Sequence, residues 1–242
     1  MSFRQIIFSA VFIGLLTGLL NSGVQMLDVT NIIYEAENYE IAEVETAPAS
    51  ADMHTADEEW GPEDGAERIL YTFFANVLAA IGFAAILLAI MNQFQSQGIA
   101  QLSLAKGFLW GAAGFIAFFA APALGLSPEI PGTQAAALES RQVWWLFTVV
   151  ASIAGLATLA FAPIKYKVLG LVCLVAPHLI GAPHISGPEF VHPDLSAVET
   201  LTQLHHQFIS ATSLSNFVFW IALGVLCGYA VKRFDSNADV QH

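Results

Sequence analysis

The sequence predicts an all-α, polytopic membrane protein: a single helical bundle over residues 1–242 with acidic loops on one side. Three observations predict it. Of the 242 residues, 56% are hydrophobic and only 12% are charged, far from the balance of a soluble domain. The apolar residues come in long runs rather than the alternating pattern of a membrane β-barrel. Backbone polar groups cannot be left unpaired in lipid, so long apolar runs must cross as helices.

A helix needs about 20 mainly apolar residues to cross the bilayer core. Six segments come close: Gln5–Val29, Leu70–Met91, Gly107–Leu126, Val143–Ala162, Val168–Ile185 and Leu214–Val231. The first follows Arg4 as a signal peptide would, but its run is too long and no A-x-A pattern closes it. It is read as a span. Gly14, Gly18, Asn21, Gln25 and Asp28 fall on one face of it. The glycines permit close helix approach. Asn21, Gln25 and Asp28 should face the bundle or a wet pathway, because polar groups are costly toward lipid. Interhelical hydrogen bonds explain them as well as a pathway lining does.

The next outer segment, residues 30–68, is acidic, with a mobile middle expected over Val44–Glu59. Small stripes at Gly107/Gly111/Gly114, Ala151/Gly155 and Gly224/Gly228 predict tight crossings of the later spans. Pro and Gly after Ala121 start a second loop. Arg141 should pair there with Glu129 or Glu139. Trp144 and Trp145 are placed in an aromatic belt. The fifth segment is short and broken by Pro177. In the outer segment 186–213, Ser196-x-x-Glu199 reads as a capping box opening an interfacial helix. Glu199, Gln203 and His206 would share a face of it, with His205 about 100° away. Cys173 and Cys227 are lone thiols inside spans, read as packing residues.

Charge fixes the sidedness. With six spans, the inner segments hold Arg4, Lys106, Lys165, Lys167, Lys232 and Arg233, and the outer ones only Arg68 and Arg141, as the positive-inside rule asks. Both termini are expected in the cytoplasm. All the acids except Asp235 and Asp239, and all the histidines except His242, fall on the outer side. That face concentrates cations. The net charge of −12 gives no footprint for nucleic acid.

The stretch LVAPHLIGAPHISGPEFVH, Leu174–His192, sets helix breakers among imidazoles at the bilayer edge. His178 and His184 are the first candidate metal ligands, with Glu35, Glu37 and Glu40 as carboxylate partners and Asp64 and Glu129 behind them. Imidazole nitrogen and carboxylate oxygen suit Co²⁺, and equally Ni²⁺ and Zn²⁺. The chain lacks G-x-x-x-x-G-K-[ST] and H-E-x-x-H, so neither a P-loop nor a zincin centre is expected. A non-transporting scaffold and an intramembrane metal-dependent enzyme are the alternatives to transport.

Several ordered motifs are distinctive together: A-E-x-Y-E (Ala36–Glu40), E-D-G-x-x-R (Glu63–Arg68), W-G-x-x-G-F (Trp110–Phe115), P-A-L-G-L-x-P-E-x-P-G (Pro122–Gly132), R-Q-x-W-W (Arg141–Trp145) and P-H-x-x-G-A-P (Pro177–Pro183). With them the chain resembles the CbtA family of predicted cobalt transporter subunits, over nearly its whole length. The resemblance implies a bacterial inner-membrane protein, not an enzyme. Its cargo would be Co²⁺ for cobalamin synthesis, with no resident cofactor. It also implies a small single-span, His-bearing partner of the CbtB type. Such subunits are usually described with about five spans, where the charges here give six.

Overall fold

A computed structural model describes the backbone of residues 1–46 and 61–239 and the side chains of residues 1–39 and 61–234. The predicted mobile stretch lies outside the described residues from residue 47 to Glu59. Among the described residues there are helices and turns and no strand. Among the described residues, five helices are long and apolar enough to cross a membrane.

Helix α1, Phe3–Leu27, starts with a reciprocal cap between Ser2 and Gln5. Its buried face is Ala10, Ile13, Gly14, Thr17, Gly18 and Ser22, the i, i+3, i+4 stripe of a helix packed on one side. The stripe lies on α3, Ala66–Ser96. A Cβ on Gly14 would fall 2.5 Å from Ile81 Cα, and one on Gly18 2.6 Å from Val77 Cα. The glycines thus let the two backbones touch. Phe74, Leu78 and Ile86 of α3 point away from the bundle.

The chain bends at Asp28 (φ −134°, ψ −47°) and starts a second helix, α2, Val29–Thr46. The first part of the predicted outer loop is therefore helical. Gly65, at φ 92°, then turns the chain into α3.

Helix α4, Leu104–Ala123, contains a widened π turn at Ile116–Ala120. Pro122 explains it: proline has no N–H to give the ladder, and Ala121 N–H bonds back to Ile116 O instead. Helix α5, Leu138–Phe161, ends before Pro163, as the residue preceding proline leaves helical geometry.

Helix α6, Lys167–Ile180, is the predicted fifth span. It has 14 residues, about 21 Å at 1.5 Å per residue, against a bilayer core of about 30 Å. It runs antiparallel to α5, with Gly155 against Gly170 at one end and Trp144 Nε1 donating to Pro177 O (3.3 Å) at the other. Pro177 does not break it. The helix runs three residues further and stops at Gly181, at φ 87°, a conformation that favours glycine. Residues beyond it continue without helix toward His192. Among the described residues there are thus five long helices and, as expected of the fifth segment, one short one, with Pro177 lying inside it rather than breaking it. Trp144 is buried at 6% exposure between Gly125 and α6, not set in an aromatic belt.

Helix α7, Leu195–Asp239, has 45 residues and so reaches about 68 Å, more than twice the bilayer core. The predicted interfacial helix and last span are one continuous element. Asp194, not Ser196, caps it, accepting from Ser196 N–H and the Ser196 hydroxyl, both at 2.9 Å. The lower half of α7 crosses α4 where Gly107 and Gly111 meet Gly224 and Gly228.

Two cores result. In the bundle, Ala80, Leu88 and Met91 pack with Trp220, Leu223, Cys227 and Val231. Beyond it, α2 and the upper half of α7 enclose Val29, Ile32, Ala36, Ile130, Phe190, Leu201, Leu204 and Phe208. This second core forms a cap on the face that bears most of the acids. The opposite face gathers the chain's start and the turns after α3 and α5. The Met1 amine donates to Asn92 Oδ1 (2.7 Å), and Phe94 packs on Trp110 and Phe161.

Candidate functional site

Inside the bundle, polar groups meet where α1, α3 and α7 converge. Asn76 is the hub. Its Nδ2 donates to Gln25 Oε1 (2.7 Å) and Ser22 Oγ (3.1 Å), and its Oδ1 accepts from Asn21 Nδ2 (3.3 Å). Ser215 Oγ donates to Asn21 Oδ1 (2.8 Å). Asn21 and Gln25 thus turn inward as expected, and their amides bond helix to helix. Asp28 is not part of the cluster: it is exposed at the bend between α1 and α2. Asn76 was readable as a lone amide in an apolar run. Ser215 carried no such signal.

The cap is fastened by internal cations. Arg68 takes both carboxylate oxygens of Glu37, adds Asp64 at 3.1 Å, and lies over the Tyr34 ring at 4.9 Å. Glu37 and Asp64, two of the expected metal partners, are occupied in this way. Arg141 pairs with Glu129, one of its two expected partners. Glu35 is exposed on α2, and the side chain of Glu40 lies outside the described residues. His192 Nδ1 accepts from Asp194 N–H (3.0 Å) and its ring stands edge-on to Tyr39.

The third fastening was not foreseen. His205 is 4% exposed on α7. Its Nδ1 lies 3.0 Å from Glu189 Oε1 and its Nε2 2.9 Å from Pro128 O. Glu189, His205 and Pro128 are far apart in sequence, and no spacing rule joins them. His206, on the expected polar face, is exposed.

A cavity of about 220 Å³ opens between residues 125–136 and residues 183–189. Ser127, Thr133, Gln134, Glu129, Arg141, His184 and Glu189 are among its lining residues. The two walls are tied by Gln134 N–H to Glu189 O (2.8 Å). His184 is exposed there, six residues after His178, which packs edge-on against Trp144 at 6.0 Å. The structure therefore gathers His184 and Glu129 at one cavity and leaves Glu35, Glu37 and Asp64 elsewhere on the cap. Among the described residues, no three His, Cys, Asp or Glu side chains form a group that could hold a metal ion.

Residues 3–232 match the family described as probable cobalt transporter subunit (CbtA). The chain belongs to the CbtA family. No curated protein and no solved structure matches it. For a CbtA subunit, the bundle gives a multi-pass membrane body, and the family's description is that of a transporter subunit. The cap, its three side-chain fastenings at Arg68, Arg141 and His205, and the cavity are features of this chain's own residues.

Proposed function

We propose that this chain is the membrane-embedded subunit for uptake of Co²⁺, destined for cobalamin synthesis, across a bacterial inner membrane. The cap faces outward and both termini lie in the cytoplasm, as the basic residues of the opposite face suggest. A small single-span, His-bearing subunit of the CbtB type completes the transporter. Co²⁺ is cargo, taken as a hydrated ion, and Ni²⁺ or Zn²⁺ would meet the same donors.

One observation carries this reading beyond the family's description: a polar cavity on the acidic face that exposes an imidazole at the end of a truncated helix. Half-length helices and irregular backbone are tolerated at membrane depth where they line a cavity or are buried in protein. The carbonyl end of α6 carries a partial negative charge. His184 is the nitrogen donor at the entrance, and His178 is the next one along the same segment. Carboxylates already held by arginine, Glu37, Asp64 and Glu129, stabilise the cap. Glu35 and Glu40 attract ions toward it.

The test is uptake of radiolabelled cobalt by cells making this chain with its small partner. His178→Ala and His184→Ala should each reduce uptake to background while membrane insertion is unchanged. Full uptake by both variants would discard the two ligands. Absence of chain-dependent uptake by the unaltered pair would discard transport itself and favour a scaffold.

A further inference from the structure

Both ring nitrogens of His205 face oxygen atoms that can only accept. Pro128 O is a backbone carbonyl, and half-exposed Glu189 presents a carboxylate oxygen. Nε2 lies at hydrogen-bond distance from Pro128 O (2.9 Å) and Nδ1 at ion-pair distance from Glu189 Oε1 (3.0 Å), an arrangement that suits a ring with a proton on each nitrogen, as only the cation has. A neutral ring would turn one lone pair onto an oxygen lone pair at that distance.

We propose that His205 is a proton-dependent latch for the cap, which holds the 124–137 and 182–194 segments onto α7 while it is charged. These two segments are the walls of the cavity. Pro128 stands in one and Glu189 in the other. His205 thus joins both walls to α7 through one polar side chain, beside the apolar packing of Ile130 and Phe190 against the same helix. When the ring loses a proton, one of the two bonds becomes a repulsion, and the wall it held is released. The cavity then has a moving side. Burial magnifies both the bond and its loss, because the ring is packed edge-on against Phe190 and screened from water.

The other titratable groups around the ring do not substitute for it. On α7, His206 stacks beside it at 6.4 Å and is exposed. In the 124–137 segment, Glu129 is paired with Arg141. In the 182–194 segment, Glu189 is the partner itself and His192 is turned to Asp194 N–H and Tyr39. From α2 the shared core receives Val29, Ile32 and Ala36, with Tyr39 at its edge.

The sign is fixed by the geometry. The latch is closed while both ring nitrogens carry protons and opens when rising pH removes one of them. It stands whether or not the cavity carries a metal ion. Hydrogen exchange of the full chain in detergent, corrected for the intrinsic pH dependence, reads it directly. Exchange in residues 124–137 and 182–194 should rise by about tenfold between pH 5.5 and 8, the loss expected for one charge-assisted bond. Glu189→Gln should abolish that step and keep exchange slow, because the amide donates to a neutral ring that still donates to Pro128 O. His205→Gln should exchange fast at every pH. The step should survive His184→Gln. No step in the unaltered chain, a step that persists in Glu189→Gln, or one that disappears in His184→Gln would each overturn the latch.

Discussion

Replacing Gly224 by alanine tests the bundle's tightest crossing. A Cβ at Gly224 would lie 2.5 Å from Gly107 O and 2.6 Å from Gly111 Cα. The nearest atom, Gly111 N, would lie at 2.4 Å and ordinary contact begins at 3.4 Å, so α4 and α7 must part by about 1.0 Å. These obstacles are all backbone, so no side chain can rotate away. A gap of that size forfeits between a quarter and a half of the dispersion energy of atoms along the seam, roughly. Overpacking of a dense interior costs about 1–3 kcal/mol, and the backbone collision places this site at about 2–3 kcal/mol. Alanine returns up to about 1 kcal/mol of helix propensity. The net loss is about 1–2 kcal/mol, or a fall of about 2–8 °C in thermal midpoint for a chain of this size. Gly82→Ala is the control, since a Cβ there meets nothing within 4 Å. It should hold or raise the midpoint. The measurement is thermal unfolding in one detergent for both variants. Equal midpoints for Gly224→Ala and Gly82→Ala would refute the close crossing.

Asn76→Leu should destabilise the bundle by about 1–2 kcal/mol, three interhelical bonds at roughly 0.6 kcal/mol each, seen as a lower detergent or thermal midpoint. Gln25→Leu, which removes one bond, should cost less. For Asp194, the Ser196 N–H and then its hydroxyl hold the carboxyl below its ordinary value. A lowered value means that the charged cap stabilises the first turn of α7 above about pH 4 and that this contribution fades as pH falls through the folded value. Exchange in residues 195–198 should quicken on acidification, beyond the intrinsic change. Asp194→Asn, still a good cap, should remove that acid limb and keep slow exchange at neutral pH.

The bundle was legible because its determinants are local in sequence. Long apolar runs, the Gly14/Gly18 stripe and the Gly107/Gly111 and Gly224/Gly228 pairs each specify a helix and the face that must be close-packed. The missed boundaries have one physical cause. Hydropathy reports where lipid ends and says nothing about where a helix ends, so α7 runs past the apolar segment as one rod and α2 follows α1 after a single bent residue. Pro177 failed as a breaker because it removes one N–H, and three further residues were short enough to continue before Gly181 stopped the helix. Trp144 failed as a belt residue because an indole N–H can also be satisfied by a buried carbonyl, here that of Pro177.

Charge on the acidic face needs a division that composition does not supply. Glu37, Asp64, Glu129 and Glu189 are matched within the protein by Arg68, Arg141 and His205. A metal ion competing for Glu37, Asp64 or Glu129 would leave an arginine partly buried without its counter-charge, which is costly. Partial desolvation therefore argues that these acids act as fasteners and that approaching cations are drawn by exposed acids such as Glu35. The imidazoles divide in the same way. His205 and His192 are engaged in holding the cap, whereas His184 is exposed at the cavity. The residues most available to a passing ion are thus the ones whose removal should disturb the fold least. That is the condition under which loss of cobalt uptake in His184→Ala can be read as loss of a ligand.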